Sequence, residues 1–233
     1  MVDISNSSNN SFQKYSLKNR LLQLVGVLVS PTQTFQILKE KNFSLGINFY
    51  MILIFNFITS YFLSKNVVSS MEFQNMLPEE LQNASSLSMF SLIISFFSIF
   101  QILFTVLVTS VIYFGIYKVS KYKISLKTVF IIVFLAQLIT ILGKLFNSFF
   151  MVGSENTIPI TSLAFPFYAN ESFPLSLLNL LSYVDFFNIW SLLVISIGIS
   201  VATNQSFKKT LGIMGIVLLI TAIATSAIVL LMT

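Results

Sequence analysis

The 233-residue chain has no cysteine and no histidine, and only 9% of its residues are charged. Without cysteine there are no disulfides and no thiolate nucleophile. Without histidine there is no imidazole acid–base chemistry, and the two absences together remove the usual ligands of zinc and haem. An ordinary soluble domain carries about a quarter charged residues, so the shortage of charge excludes a water-soluble globule. In its place stand 55% hydrophobic residues, with 25 Phe. A formal charge of +5 suggests nucleic acid in a soluble chain, but here the charges sort by position along a membrane protein.

A spanning helix needs roughly 20 apolar residues. Five stretches supply that length, at about 45–64, 97–117, 128–150, 181–202 and 210–232. The fold class expected is all-α, an integral membrane bundle of five transmembrane helices preceded by short cytoplasmic amphipathic helices. The second run is longer than a span requires, because residues 81–117 hold no charge. As one helix they measure about 55 Å at 1.5 Å per residue, against a bilayer core of about 30 Å. The run is expected to begin as an interfacial or protruding segment and to span from about Phe97.

Placing the N-terminus inside puts Lys14, Lys18, Arg20, Lys39, Lys41, Lys118, Lys121, Lys123, Lys127, Lys208 and Lys209 on the inner side, with only Lys65 and Lys144 outside. This positive-inside bias gives an N-in, C-out topology. The domains expected are a disordered cytoplasmic tail over 1–16, interfacial helices over 17–44 and the membrane domain over 45–233. The tail is rich in Ser and Asn and has no apolar signal-peptide core. Asn83 and Asn170 match the glycosylation pattern on the outer side. The Phe, Ile, Lys and Asn bias resembles an AT-rich coding sequence and points to a bacterial cell membrane. For a eukaryotic source, an endomembrane such as the ER or Golgi is expected.

Leu17, Leu21, Leu24 and Leu28 share a helical face, with Leu22, Val25 and Val29 beside it and Lys18, Asn19, Arg20 and Gln23 on much of the other side. The pattern fits a helix lying in the interface, basic side toward anionic headgroups. It fits equally a cover helix packed under the bundle, and the two are compatible. Ser30 as N-cap and Pro31 at the first position open another helix, which carries Phe35 and Leu38 on one side. Arg20, Pro31, Phe35 and Leu38 are the candidate cytoplasmic interaction residues.

Within the second run, Ser88, Ser91, Ser95 and Ser98 recur at helical spacing, continued by Thr105 and Thr109. Close helix packing is the expected role of this stripe, and the wall of a permeation path is the alternative. A short loop makes spans four and five an antiparallel pair. Their small residues, Ser191, Gly198 and Ala202 on one and Gly215, Ala222 and Ser226 on the other, are expected to let the backbones approach. Intramembrane polar residues are functional candidates by default. Asn56 and Gln137 fall near the midplane, where they could bond across the bundle. Lys144 and Asp185 fall at matching depth and are placed to pair, although snorkelling of Lys144 and a wet helix end at Asp185 is the favoured reading.

Catalytic motifs fail on composition. Two intramembrane aspartates are needed for an aspartyl protease, and the chain has only Asp3 and Asp185. Glu79-Glu80 is followed by Ala84 where membrane prenyl-protein proteases place Arg. Gly143-Lys144 lacks the preceding glycine of a phosphate loop, and no Gly-x-Ser-x-Gly elbow occurs. No enzymatic activity, catalytic residue, metal or cofactor is expected.

The helix Ser30-Pro31-x-x-x-Phe35, then Lys39-Glu40-Lys41 and five spans, resembles the Yip family of Ypt/Rab-interacting proteins, particularly its bacterial branch. Phe187-Asn188-Ile189-Trp190-Ser191 with Gly198-Ile199-Ser200 is similar to the family's fourth span. The resemblance implies membrane trafficking or GTPase interaction only for eukaryotic members, whose Asp-Leu-Tyr-Gly-Pro cytosolic motif this chain lacks. The function expected is a non-enzymatic membrane scaffold, organiser or partner-binding protein. Its partners are membrane lipids, another membrane protein or a second copy, with no nucleic acid and no small-molecule cofactor. The alternative is a small transporter or permease subunit with a polar path along the span-two stripe. Against it, five spans do not divide into two equal repeats.

Overall fold

A computed structural model describes residues 17–42, 44–150, 158–170 and 172–232, so the tail expected over 1–16 lies outside the described residues. Helices α1 (Leu17–Val29) and α2 (Pro31–Glu40) precede α3 (Ile47–Val68), the short α4 (Met71–Asn75), α5 (Ala84–Val119), α6 (Leu126–Phe150), the short α7 (Leu175–Ser182), α8 (Phe186–Thr203) and α9 (Phe207–Met232). No strand forms among the described residues. Helices α3, α5, α6, α8 and α9 are long and apolar enough to cross a membrane. The fold is an all-α bundle with five such helices.

Helix α6 is the hub. Of its most apolar stretch 61% is buried, against 33% or less in the other four. Residues Ile131 to Ala136 are all buried, because a helix that is apolar on every side can be surrounded. It packs on α3, α5 and α8, while α9 joins through α8 and α7. The other spans turn large apolar side chains outward, such as Ile54, Ile58, Phe104 and Leu219, where lipid solvates them.

One bound differs from the sequence expectation, that of the fourth span. The second run is one continuous helix of 36 residues, about 54 Å at 1.5 Å per residue and so longer than the bilayer core. Asn83 starts it, accepting from the Ser86 amide at 2.9 Å. The fourth span begins at Phe186 rather than near 181. Asp185 caps α8 by accepting from the amides of Phe187 (2.9 Å) and Asn188 (3.1 Å). Leu181 and Ser182 belong instead to α7, which packs on α9. Hydropathy runs straight across this restart, since an N-cap changes backbone direction without changing apolarity.

Candidate functional site

Helices α1 and α2 form a module docked against one end of the bundle. Pro31 opens α2, and the Ser30 side chain makes no capping bond. The Thr34 hydroxyl instead donates back to the Ser30 carbonyl at 3.1 Å. Phe35 is wholly buried and Leu38 nearly so. A Cβ on Gly198 would lie 3.1 Å from the Phe35 ring and 2.6 Å from Ile132 Cγ2. Phe35 therefore closes over the α6–α8 seam at a site where only glycine leaves room. Lys39 completes the dock, its Nζ donating to the Val201 carbonyl (2.7 Å) and to Asn204 Oδ1 (2.6 Å) at the end of α8. That end carries excess negative dipole, which a lysine ammonium complements. Phe35 and Leu38 thus face inward and offer no exposed interaction surface. The side chain of Arg20 lies outside the described part.

Helix α1 has two apolar faces. Leu24 and Val27 are buried on the bundle side, and Gln23 accepts from Asn48 Nδ2 of α3 at 3.1 Å. Leu21, Leu22, Val25 and Val29 are 44% to 76% exposed. At 100° per residue these four fall within a single sector about 100° wide.

The intramembrane polar residues separate. Asn56 is buried on α3 and donates to Ser98 of α5, at 3.2 Å to the carbonyl and 3.0 Å to Oγ. Ser64 donates to the Ser91 carbonyl at 3.1 Å and lies 3.4 Å from Ser95 Oγ. The part of the stripe that packs is Ser91, Ser95 and Ser98, followed by Ile102, Val106 and Ser110. Ser88 and Thr105 are exposed and Thr109 is half-buried. At 100° per residue Thr105 lies about 80° from the centre of the face that Ile102 and Val106 hold, because the packed face turns along the helix toward Val106 and Ser110. Gln137 is half-buried on α6 and is not a partner of Asn56. Lys144 is exposed. Asp185 is buried, spending its carboxylate on the α8 cap and on the Thr161 hydroxyl. No ion pair joins Lys144 to Asp185.

The small residues of spans four and five do not meet as expected. Gly198 faces Ile132 and Phe35 rather than α9, and nothing lies within 4 Å of a Cβ on Gly215. Ser226 accepts from Asn179 of α7 at 3.3 Å, and Ala222, one turn earlier, is also buried. Ser191 is buried and Ala202 packs at the edge of the core. A small residue permits close approach without naming the partner, and α6 and α7 compete for these faces.

At the end where α2 docks, the α5–α6 loop meets the start of α9. Tyr117 donates to the Thr210 carbonyl at 3.3 Å, and Thr210 donates to the Ser196 carbonyl at 3.0 Å. The Tyr117 and Tyr122 rings are 5.1 Å apart, edge to face. Lys209 Nζ sits 5.5 Å from the Tyr122 ring. The Tyr122 hydroxyl is buried with no hydrogen-bond partner, and desolvation raises its pKa above the ordinary tyrosine value. Among the described residues no three acidic side chains gather as a metal site.

A family model described as the Yip1 domain matches residues 25–228. The chain belongs to the Yip1 domain family. No curated protein and no solved structure matches it. This Yip1-domain chain is an integral, multi-pass membrane protein, and the matched stretch takes in α2 and reaches into α9. In this Yip1 chain the Ser-Pro-x-x-x-Phe segment is accounted for residue by residue. Pro31 starts the helix, Thr34 bonds back to Ser30, Phe35 fills the Gly198 notch, and Lys39 caps α8. Sequence reading missed the Tyr117–Thr210 link and the Gly143 notch, where a Cβ would meet Phe187 Cγ at 2.6 Å. The only signal for the notch was a lone glycine in an apolar helix.

Proposed function

We propose that this Yip1-domain protein is a non-enzymatic membrane scaffold whose α1 lies in the lipid interface as an organising element. The observation that carries the reading is the division of α1. One face is anchored to the bundle through Leu24, Val27 and the Gln23–Asn48 bond, while Leu21, Leu22, Val25 and Val29 form an outward apolar stripe. A helix fixed in this way wedges apolar side chains into one leaflet, with binding strength scaling with the apolar area buried. The positive-inside bias supports a cytoplasmic position for this end. Against the transporter alternative, the hydroxyls of Ser91, Ser95 and Ser98 are committed to helix–helix and backbone bonds.

Reconstitution into vesicles tests the scaffold. The wild-type chain is expected to shift vesicle diameters measured by electron cryomicroscopy, and Leu22→Glu combined with Val25→Glu is expected to abolish the shift at equal protein incorporation. Unchanged vesicles with the wild-type chain refute the reading. The absence of native cysteine provides a parallel test of the alternative. Single cysteines at Asn56, Thr105 and Gln137 are probed with a small membrane-impermeant thiol reagent, using Ser69 and Ser125 as loop controls on opposite faces. A dry bundle leaves the three inner sites unlabelled, whereas labelling of the midplane sites from either face assigns a permeation path.

A further inference from the structure

The tertiary structure joins two lysine-bearing segments that lie far apart in the sequence. The α5–α6 connection brings Lys118, Lys121, Lys123 and Lys127, and the start of α9 brings Lys208 and Lys209. All six are exposed. The two segments are tied by the Tyr117–Thr210 hydrogen bond at 3.3 Å and by Lys209 lying over the Tyr122 ring. Helices α6 and α9 both start here, and neither has an acidic residue in its first turn. Ser125 caps α6 by accepting from the Thr128 amide at 3.1 Å with a neutral hydroxyl, so the positive dipole ends of both helices add to the potential of the lysines. No ion pair with an acidic side chain compensates these six lysines among the described residues.

The same place holds the Tyr122 hydroxyl, a donor that is enclosed and unpartnered. A buried polar group without a partner costs stability, and a phosphate oxygen is an acceptor that would relieve that cost once the side chains covering the hydroxyl move aside. Beyond this link, α5 and α9 are not packed neighbours among the described residues. Above the lysines the two spans therefore present their flanks to lipid, as an acyl chain beneath a bound headgroup requires. Basic pockets between transmembrane helices are the surfaces that recognise anionic headgroups.

We propose that the α5–α6 loop and the start of α9 together form a binding site for the phosphate of an anionic phospholipid headgroup in the adjoining leaflet. The site deepens the scaffold reading on which it rests. α1 supplies apolar insertion, and the lysine pair of loops supplies headgroup selection.

Native mass spectrometry of the detergent-purified full chain tests the proposal. The chain is titrated with phosphatidylglycerol and, in parallel, with phosphatidylcholine of the same acyl chains. The wild-type chain is expected to retain phosphatidylglycerol in preference. Lys121→Gln, Lys123→Gln and Lys208→Gln together are expected to lower that retention at least fivefold, and the three arginine replacements are expected to keep it. Lys65→Gln, which removes a lysine from the opposite end, is expected to stay within twofold of wild type, and Tyr122→Phe is expected to weaken retention. Equal phosphatidylglycerol retention by the triple glutamine variant overturns the proposal, as does equal retention of phosphatidylcholine by the wild-type chain. Displacement of the lipid by millimolar inorganic phosphate assigns the lysines to a free anion and overturns the headgroup assignment. Headgroup retention without vesicle remodelling removes the scaffold reading alone, and remodelling without retention removes this site alone.

Discussion

The Phe35 ring lies 3.1 Å from where a Cβ on Gly198 would stand, so the first helix wholly inside the Yip1 match and the fourth span are fitted to one another at a single point. Phe35 has no remaining exposure, and the same missing Cβ leaves room for Ile132 of the hub helix. The position couples three elements that are distant in sequence.

Phe35→Ala is expected to destabilise the chain by about 3 kcal/mol or more, as buried Phe-to-Ala changes do. Gly198→Ala is expected to cost about 1–3 kcal/mol by overpacking against Ile132. Because both act at one contact, the double variant should depart from the sum of the singles. Thermal unfolding in detergent measures all three, and a wild-type midpoint for Phe35→Ala sinks the docking account.

Asn56 is a donor in its bonds to Ser98. Asn56→Leu removes a buried interhelical bond worth on average about 0.6 kcal/mol and seldom above about 2. Asn56→Asp is expected to be far worse, since an ionised carboxylate cannot donate to the Ser98 carbonyl and is buried without a cationic partner. The ordering Asp below Leu below wild type in thermal midpoint is the result to check.

Asp185 both caps α8 and holds Thr161 of the loop between α6 and α7. Asp185→Ala is expected to cost about 0.5–2 kcal/mol for the lost cap. It should also speed amide exchange at Leu163, whose N–H bonds the Val184 carbonyl at 3.0 Å. Hydrogen exchange with mass spectrometry resolves that segment. Protection of Leu163 at the wild-type level would mean the loop is held elsewhere.

Lys144 is exposed and unpaired with Asp185, so Lys144→Gln is expected to stay within about 0.5 kcal/mol of wild type, as surface changes do. The exchanged pair Lys144→Asp with Asp185→Lys should be no more stable than Asp185→Lys alone. Rescue by the exchange in a thermal melt would establish a pair that this geometry does not contain.

The number and order of the spans were legible because a membrane helix is recorded in the sequence as a charge-free run of the right length. The Ser91, Ser95 and Ser98 face was legible from spacing, but its continuation was not. Thr105 and Thr109 share its chemistry, whereas the packed face runs on through Ile102, Val106 and Ser110. The α8 cap was hidden for a different reason. In the sequence Asp185 reads as a charge in an apolar region, and a carboxylate satisfied by two amides and a hydroxyl has the same sequence appearance as one awaiting a lysine.

The sequence by itself determined that this is a helical membrane protein without cysteine or histidine chemistry. It also placed the lysines at the ends of spans and located an amphipathic segment before the first of them. Only the tertiary structure decided which helix is surrounded, where Phe35 goes, which glycines are in contact, and that Lys209 meets Tyr122. The physical reason lies in the solvent. In water an apolar face identifies itself by needing burial, but lipid solvates apolar side chains as well as a protein core does. Helix partners in a membrane are therefore selected by close packing and a few hydrogen bonds, and those depend on three-dimensional fit rather than on the pattern of hydrophobicity along the chain.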